Sequence, residues 1–209
     1  MKIIGLTQRV EILKDRNERR DCLDQQWTNL LLKIGMLPVP LPNCVKDVEA
    51  MVLNLRIEGV ILTGGNDLAG LSGAENIAPE RDKLENELLN VCCLKNIPVL
   101  GVCRGFQMMV AHYGGKLVPV NGHTAISHGV AVQGEKLIPL SNRDSVNSFH
   151  NFGVKERDIG RGLAAVALAP DGTVEAIAHK QFPQWGIMWH PERQPYDEKD
   201  AVLIKELFK

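Results

Sequence analysis

The sequence predicts an α/β fold: one open, mostly parallel twisted sheet with helices on both faces and an antiparallel extension. Three observations carry this. From residue 2 to residue 113, short apolar runs alternate with longer stretches of helical periodicity, and strand–helix alternation of that kind builds parallel sheets. After Gly114-Gly115 the helical stretches give way to closely spaced strand-like runs, which suit antiparallel pairing. The chain has 209 residues, 44% of them hydrophobic, and no repeat, low-complexity segment or linker, so residues 1–209 read as a single domain with a sizeable core.

The elements follow in order. Ile3-Ile4-Gly5-Leu6 marks a first strand at 2–7, and a charged loop from Gln8 to Arg20 separates it from a helix at about 21–35. A strand at 37–41, a helix at 44–55 and a strand at 58–63 come next, the last running into Gly64-Gly65. Helix 80–95 has Pro79 just ahead of it, where a missing N–H is tolerated, and Leu84, Leu88, Val91 and Cys92 recur at helical spacing to cover a sheet face. Ile97-Pro98-Val99-Leu100 opens a strand at 97–102, and a helix at 104–113 follows without a loop. Further strand-like runs fall at 116–120, 129–133, 136–140, 163–169, 173–179 and 184–189, before a closing helix at 197–208. Open α/β sheets bind ligands at the carboxyl ends of their parallel strands. Here those ends carry Gly64-Gly65 and Cys103.

Cys103 stands where a strand turns directly into a helix. Gly101 and Gly105, two residues to either side, allow a sharp turn and a close approach to substrate. A helix N-terminus favours thiolate over thiol and can pull a cysteine below its free pKa of about 8.5. These features fit a nucleophile. The base that suits it is His190, at the end of a strand-like run, with Pro191 fixing the chain so that Glu192 can reach back to the imidazole. Cys103, His190 and Glu192 then read as a triad. Gly65 and Arg104 offer backbone N–H groups for a tetrahedral oxyanion. Asn147, Ser148 and His150 lie in a polar segment suited to an amino-acid head group. Arg81, Asp82 and Glu85 occupy the first turn of a helix, where such pairing is common surface chemistry, and read as scaffold.

Taken together, Gly101-Val102-Cys103-Arg104-Gly105-Phe106-Gln107, Leu62-Thr63-Gly64-Gly65-Asn66-Asp67, Arg81-Asp82 with Glu85, Ser145-Val146-Asn147-Ser148-Phe149-His150 and His190-Pro191-Glu192 resemble the class I glutamine amidotransferases. The likeness spans nearly the whole chain. It is closer to their γ-glutamyl hydrolase branch, in which arginine, not a small apolar residue, follows the cysteine. The resemblance implies a flavodoxin-like fold and hydrolysis of a γ-glutamyl amide through a glutamyl thioester, with no cofactor and no metal. It also implies that Gln107, with Asn147, Ser148 and His150, holds the glutamyl α-amino and α-carboxylate groups. Two leaving groups compete within the branch. One is a small amine such as γ-aminobutyrate. The other is the nucleotide phosphoramidate of a γ-glutamyl-CDP-amidate, from capsule or surface-polysaccharide synthesis. The short chain and the Arg16, Arg19 and Arg20 guanidinium groups of the first loop favour the second, because bidentate recognition of phosphate is their strength. The alternative is a glutaminase subunit supplying ammonia to a separate synthase partner.

A net charge of −1 gives no bulk attraction to nucleic acid or to an anionic membrane. No stretch approaches the ~20 apolar residues of a membrane span, and the N-terminal run reads as a strand, not a signal peptide. The 5 cysteines are an odd number without zinc-type spacing, and a nucleophilic thiol must stay reduced, so a cytoplasmic address is expected. Cys22, Cys44, Cys92 and Cys93 are expected to pack as small hydrophobes. His123 and His128 invite a metal reading, but no carboxylate or cysteine stands at ligand-like spacing beside them, and no metal is expected there. His112 and His179 are expected to be structural. The expected partner is a small γ-glutamyl substrate, and a homodimer is compatible with the sequence.

Overall fold

A computed structural model describes residues 1–134 and 137–209. Strand β1 (Lys2–Leu6) leads into a hairpin of β2 (Arg9–Leu13) and β3 (Glu18–Cys22). Helix α1 (Gln25–Lys33), β4 (Met36–Pro40), α2 (Val48–Asn54), β5 (Gly59–Leu62), α3 (Pro79–Lys95), β6 (Val99–Val102) and α4 (Arg104–His112) complete the first half. The second half holds β7 (Val118–Pro119), β8 (Thr124–Val132), β9 (Arg143–Phe149), β10 (Phe152–Gly153), β11 (Leu163–Leu168), β12 (Val174–His179), β13 (Gln184–Ile187) and α5 (Glu198–Leu207).

The main sheet has 9 strands in the order β4-β1-β5-β6-β13-β12-β11-β8-β9. From β4 to β13 neighbours run parallel. From β13 to β9 they run antiparallel. Strand β13 is therefore the seam, parallel to β6 and antiparallel to β12. Every residue of β5 and β6 is buried, which explains why both read as continuous apolar runs without alternation. Trp27, Leu30 and Leu31 of α1 and Leu203, Ile204 and Leu207 of α5 share one core, on one face of the sheet. Val52 of α2, Leu88 and Leu89 of α3 and Phe106 and Met109 of α4 share the other. Aspartates cap three helices: Asp24, Asp47 and Asp197 each accept from a first-turn backbone N–H. At one edge of the sheet, β4 pairs with β1 through Pro38 opposite Ile4 and Pro40 opposite Leu6. No described helix is long and apolar enough to cross a membrane.

The structure departs from the sequence reading in places. The charged segment between Gln8 and Arg20 is a hairpin, not a loop, with Asn17 at φ 51°. Among its residues only Val10 is buried, so the period-two burial pattern that betrays a strand is missing. This shortens the expected helix 21–35 to Gln25–Lys33. Strand β9 has no counterpart in that reading because it lies at the sheet's far edge and alternates weakly. The expected strand at 136–140 does not form over 137–140, and residue 136 lies outside the described residues.

Candidate active site

Cys103 joins β6 to α4 with φ 53° and ψ −103°, a conformation that L-residues rarely adopt. It is held there from both sides. Its N–H donates to the Ile187 carbonyl of β13 at 2.8 Å, and its carbonyl accepts from Gln107 N at 3.1 Å. A Cβ on Gly105 would stand 2.0 Å from the Leu62 carbonyl oxygen, and one on Gly101 would stand 2.7 Å from the Gly105 carbonyl. Glycine at both positions lets α4 begin directly against β5 and β6, which leaves the cysteine no relaxed alternative.

His190 lies just past β13 and is 6% exposed. Its Nδ1 is 2.7 Å from Glu192 Oε1. Asn147 of β9 clamps the backbone of the same residue: its amide donates to the His190 carbonyl and its oxygen accepts from His190 N, each at 2.9 Å. A Cβ on Gly64 would stand 2.6 Å from His190 Cε1, so that glycine makes room for the ring. Burial by itself lowers the His190 pKa. The charge on Cys103, a hydrogen bond between the two side chains and the Glu192 carboxylate outweigh burial and push it up to about 10. Nδ1 is committed to Glu192, which leaves the other ring nitrogen for the cavity that Cys103 also lines.

These residues open on a cavity of about 350 Å³. Thr63, Gly64, Gly65, Cys103, His190 and Glu192 form one side of its lining, and Arg9, Trp27, Phe149 and Arg193 contribute to the rest. Beneath the 63–65 turn lies a buried ion network. Arg81 donates to the carbonyls of Thr63 at 2.6 Å, Gly64 at 3.1 Å and Gly65 at 2.6 Å, and its Nε donates to Glu85 Oε1 at 2.8 Å. Arg104 reaches the other Glu85 oxygen and Asp82. Burial pulls the Arg81 pKa down to about 9, with Asp82 and Cys103 opposing it, so the guanidinium keeps its charge near neutral pH. The expectation of surface pairing for Arg81 and Glu85 is overturned, since both are 0% exposed. They are scaffold, but buried scaffold, and an i to i+4 spacing alone cannot distinguish the two.

Cys103, His190, Glu192 and Gly65 line one cavity. None of the implied holders of the glutamyl head group is among the residues that line this cavity. Gln107 donates its amide to the Phe152 carbonyl at 2.9 Å, Asn147 is spent on the His190 backbone, and Ser148 donates to the His123 carbonyl at 2.7 Å. His150 is buried beside His123, His128 and Glu175. That grouping supplies the carboxylate which spacing along the chain does not, because Glu175 arrives from a separate strand. Of the first-segment arginines, Arg19 pairs with Glu80, Arg20 with Glu18 and Arg16 with Asp15, and none lines the cavity. The arginines that do are Arg9, at the start of the hairpin and paired with Glu11, and Arg193, stacked 3.7 Å over the Phe149 ring. Arg193 lies three residues past His190, a proximity the sequence offered. Cys22 also lines the cavity and Cys44 is exposed, so neither packs as the small hydrophobe expected. Cys92 does, and burial pushes its thiol up to about 12.

The arrangement sets a thiol, an imidazole paired with a carboxylate and the backbone of a glycine turn around one cavity, the kinds of group that acyl transfer uses. Comparison with known proteins points the same way. The Peptidase C26 family model matches residues 2–192. The γ-glutamyl-CDP-amidate hydrolase of Campylobacter jejuni is 35% identical over 208 residues, covering 98% of this chain and 96% of that protein. The γ-glutamyl-γ-aminobutyrate hydrolase of Escherichia coli O157:H7 is 30% identical over 217 residues, covering 90% of this chain and 84% of that protein. A solved glutamine amidotransferase of Thermotoga maritima shares the fold with a TM-score of 0.68 at 18% identity, covering 98% of this chain and 83% of that one.

Proposed function

Because the chain belongs to the Peptidase C26 family of class I glutamine amidotransferase-like hydrolases, we propose that it hydrolyses a γ-glutamyl amide at Cys103. The observation that carries this reading is His190, paired with Glu192 at 2.7 Å, in the cavity that Cys103 also lines, beside a turn held open by two glycines. The sulfur attacks the side-chain carbonyl carbon, and the oxyanion is met by the N–H groups of Gly65 and Arg104. The C–N bond then breaks as His190 gives its proton to the departing nitrogen. Water adds to the glutamyl thioester with His190 as base, and glutamate leaves as the thiol is restored. Glu192 orients the ring and favours its cation.

For the leaving group we favour a nucleotide phosphoramidate. Near end-to-end similarity to the Campylobacter protein supports it, as do two arginines, Arg9 and Arg193, in the cavity wall. Reduced cysteine chemistry of this kind belongs in the cytoplasm. Purified protein supplied separately with a γ-glutamyl nucleotide phosphoramidate, γ-glutamyl-γ-aminobutyrate and glutamine should release glutamate fastest from the first. A preference for γ-glutamyl-γ-aminobutyrate would overturn the leaving group but not the chemistry. Activity on glutamine alone, rising with an added synthase, would overturn the hydrolase reading.

A further inference from the structure

His123 precedes β8, His128 lies within it, His150 follows β9 and Glu175 belongs to β12. One potential ligand atom from each lies within 4.8 Å of the others. Glu175 Oε1 stands 3.4 Å from His150 Nε2, 3.5 Å from His123 Nδ1 and 3.8 Å from His128 Nε2. His123, His150 and Glu175 are only 4%, 3% and 1% exposed. Among the described residues, none of those three nitrogens and neither Glu175 oxygen has a hydrogen-bond partner.

The opposite ring nitrogens are all engaged. His128 Nδ1 donates to the Gly129 carbonyl at 3.0 Å, His150 Nδ1 to the Phe152 carbonyl at 3.1 Å and His123 Nε2 to Asp171 Oδ2 at 3.3 Å. Carbonyls and carboxylates accept only, so the outer nitrogens hold the protons and the inner ones of neutral rings present lone pairs. Three lone pairs and a carboxylate converging in a buried space repel one another unless a cation stands between them. An imidazole that ligates through one nitrogen and donates from the other to a carbonyl or carboxylate is the usual arrangement at metal centres. A tetrahedral zinc with ligands at about 2.0–2.2 Å has ligand–ligand edges of about 3.3–3.6 Å. The Glu175 distances match that range or exceed it by a few tenths of an ångström.

We propose that His123, His128, His150 and Glu175 bind one zinc ion in a closed structural site. Imidazole and carboxylate ligands suit zinc, and four protein ligands leave no coordination position for a substrate. Its role is mechanical. Among the described residues, strand β8 meets β11 through Ala131 and Val132 alone, and its Thr124–His128 end has β9 as its one ladder partner. The ion ties that free end to β12. Strand β9 carries Asn147, which clamps His190, and Phe149, in the cavity wall, so the tie steadies the proposed base from behind.

Untagged protein purified without chelator should carry about one zinc per chain by inductively coupled plasma mass spectrometry. The double variant H128Q/E175Q should carry less than a tenth of that. Because the variant could fail to fold, the wild-type chain is also stripped with dipicolinate and titrated. Equimolar zinc should raise its Tm by about 8 °C or more. Cobalt(II) should give visible absorption of tetrahedral intensity. A chain with no stoichiometric metal, no Tm response and no cobalt band would overturn the proposal and leave an imidazolium proton as the bond holding the cluster. A stoichiometric metal other than zinc would overturn the choice of ion. None of these readouts depends on activity.

Discussion

At Cys103 the chain holds a side chain where only glycine is at ease. Replacing the residue by alanine or by glycine removes the thiol in both cases, so neither variant should turn over substrate. Their stabilities should differ in an unusual order. At an ordinary φ, glycine is the weaker residue, but at φ 53° it avoids a Cβ penalty of roughly 1–2 kcal/mol. Calorimetry should therefore find Cys103→Gly melting about 2–4 °C or more above Cys103→Ala. Equal or reversed melting temperatures would show that the elbow stores no strain. The second residue-scale expectation concerns His190. Its proton is needed by the leaving nitrogen, and the folded protein holds that proton up to a pH of about 10, well above the ordinary imidazole value. The sign follows: kcat/KM falls on the alkaline side as the proton is lost, and the descending limb should lie far above pH 7. Glu192→Gln removes one of the raising influences and should move the limb toward neutrality. A wild-type limb near pH 6.5 would contradict the pairing of His190 with a charged sulfur.

At the scale of elements, the turn after β5 depends on a helix that does not touch substrate. Arg81 satisfies three successive carbonyls and Glu85 with one planar group. Lysine cannot reproduce that fork. Arg81→Lys should lower kcat more than it raises KM, because the loss falls on the oxyanion side, and it should also cost several degrees of Tm. Removing either partner of such a buried pair typically costs about 3–5 kcal/mol. The hairpin makes a contrasting case. Replacing Arg16, Arg19 and Arg20 together removes only exposed pairs and should leave KM for a nucleotide substrate within about twofold, whereas Arg9→Ala with Arg193→Ala should raise it tenfold or more. A strong effect of the first set would return the phosphate contacts to Arg16, Arg19 and Arg20. The same contrast shows what could be read from the sequence. Cys103 and His190 were legible because their signals are local: glycines at fixed offsets, a strand end, a proline. Arg9 and Phe149 were not, since a hairpin with one buried residue and a polar edge strand lack the periodicity that places a side chain. Glu175 lay beyond spacing arguments altogether, for it meets His123 only when β12 and β8 enter one sheet.

At the scale of the whole molecule, alternation of strands and helices predicted the parallel half, and the change after Gly115 predicted the antiparallel half. The sequence did not reveal that β13 serves both, which places His190 at the seam between them. A last consequence comes from the opposite margin. Leu41 N donates to the Leu6 carbonyl at 2.8 Å, so by the alternation of a strand the N–H groups of Val39 and Leu37 face β1 and the positions of Met36, Pro38 and Pro40 face outward. Two of those three outward positions are prolines and have no hydrogen to give. A second chain arriving to extend the sheet there would find acceptors but almost no donors. Self-association by strand addition is thus disfavoured at this margin. The double variant Pro38→Val, Pro40→Val should restore the missing donors, and sedimentation should then detect oligomers at concentrations where the parent chain shows none through this edge. Two residues with no part in the chemistry would in that case keep neighbouring copies of the enzyme from zipping together.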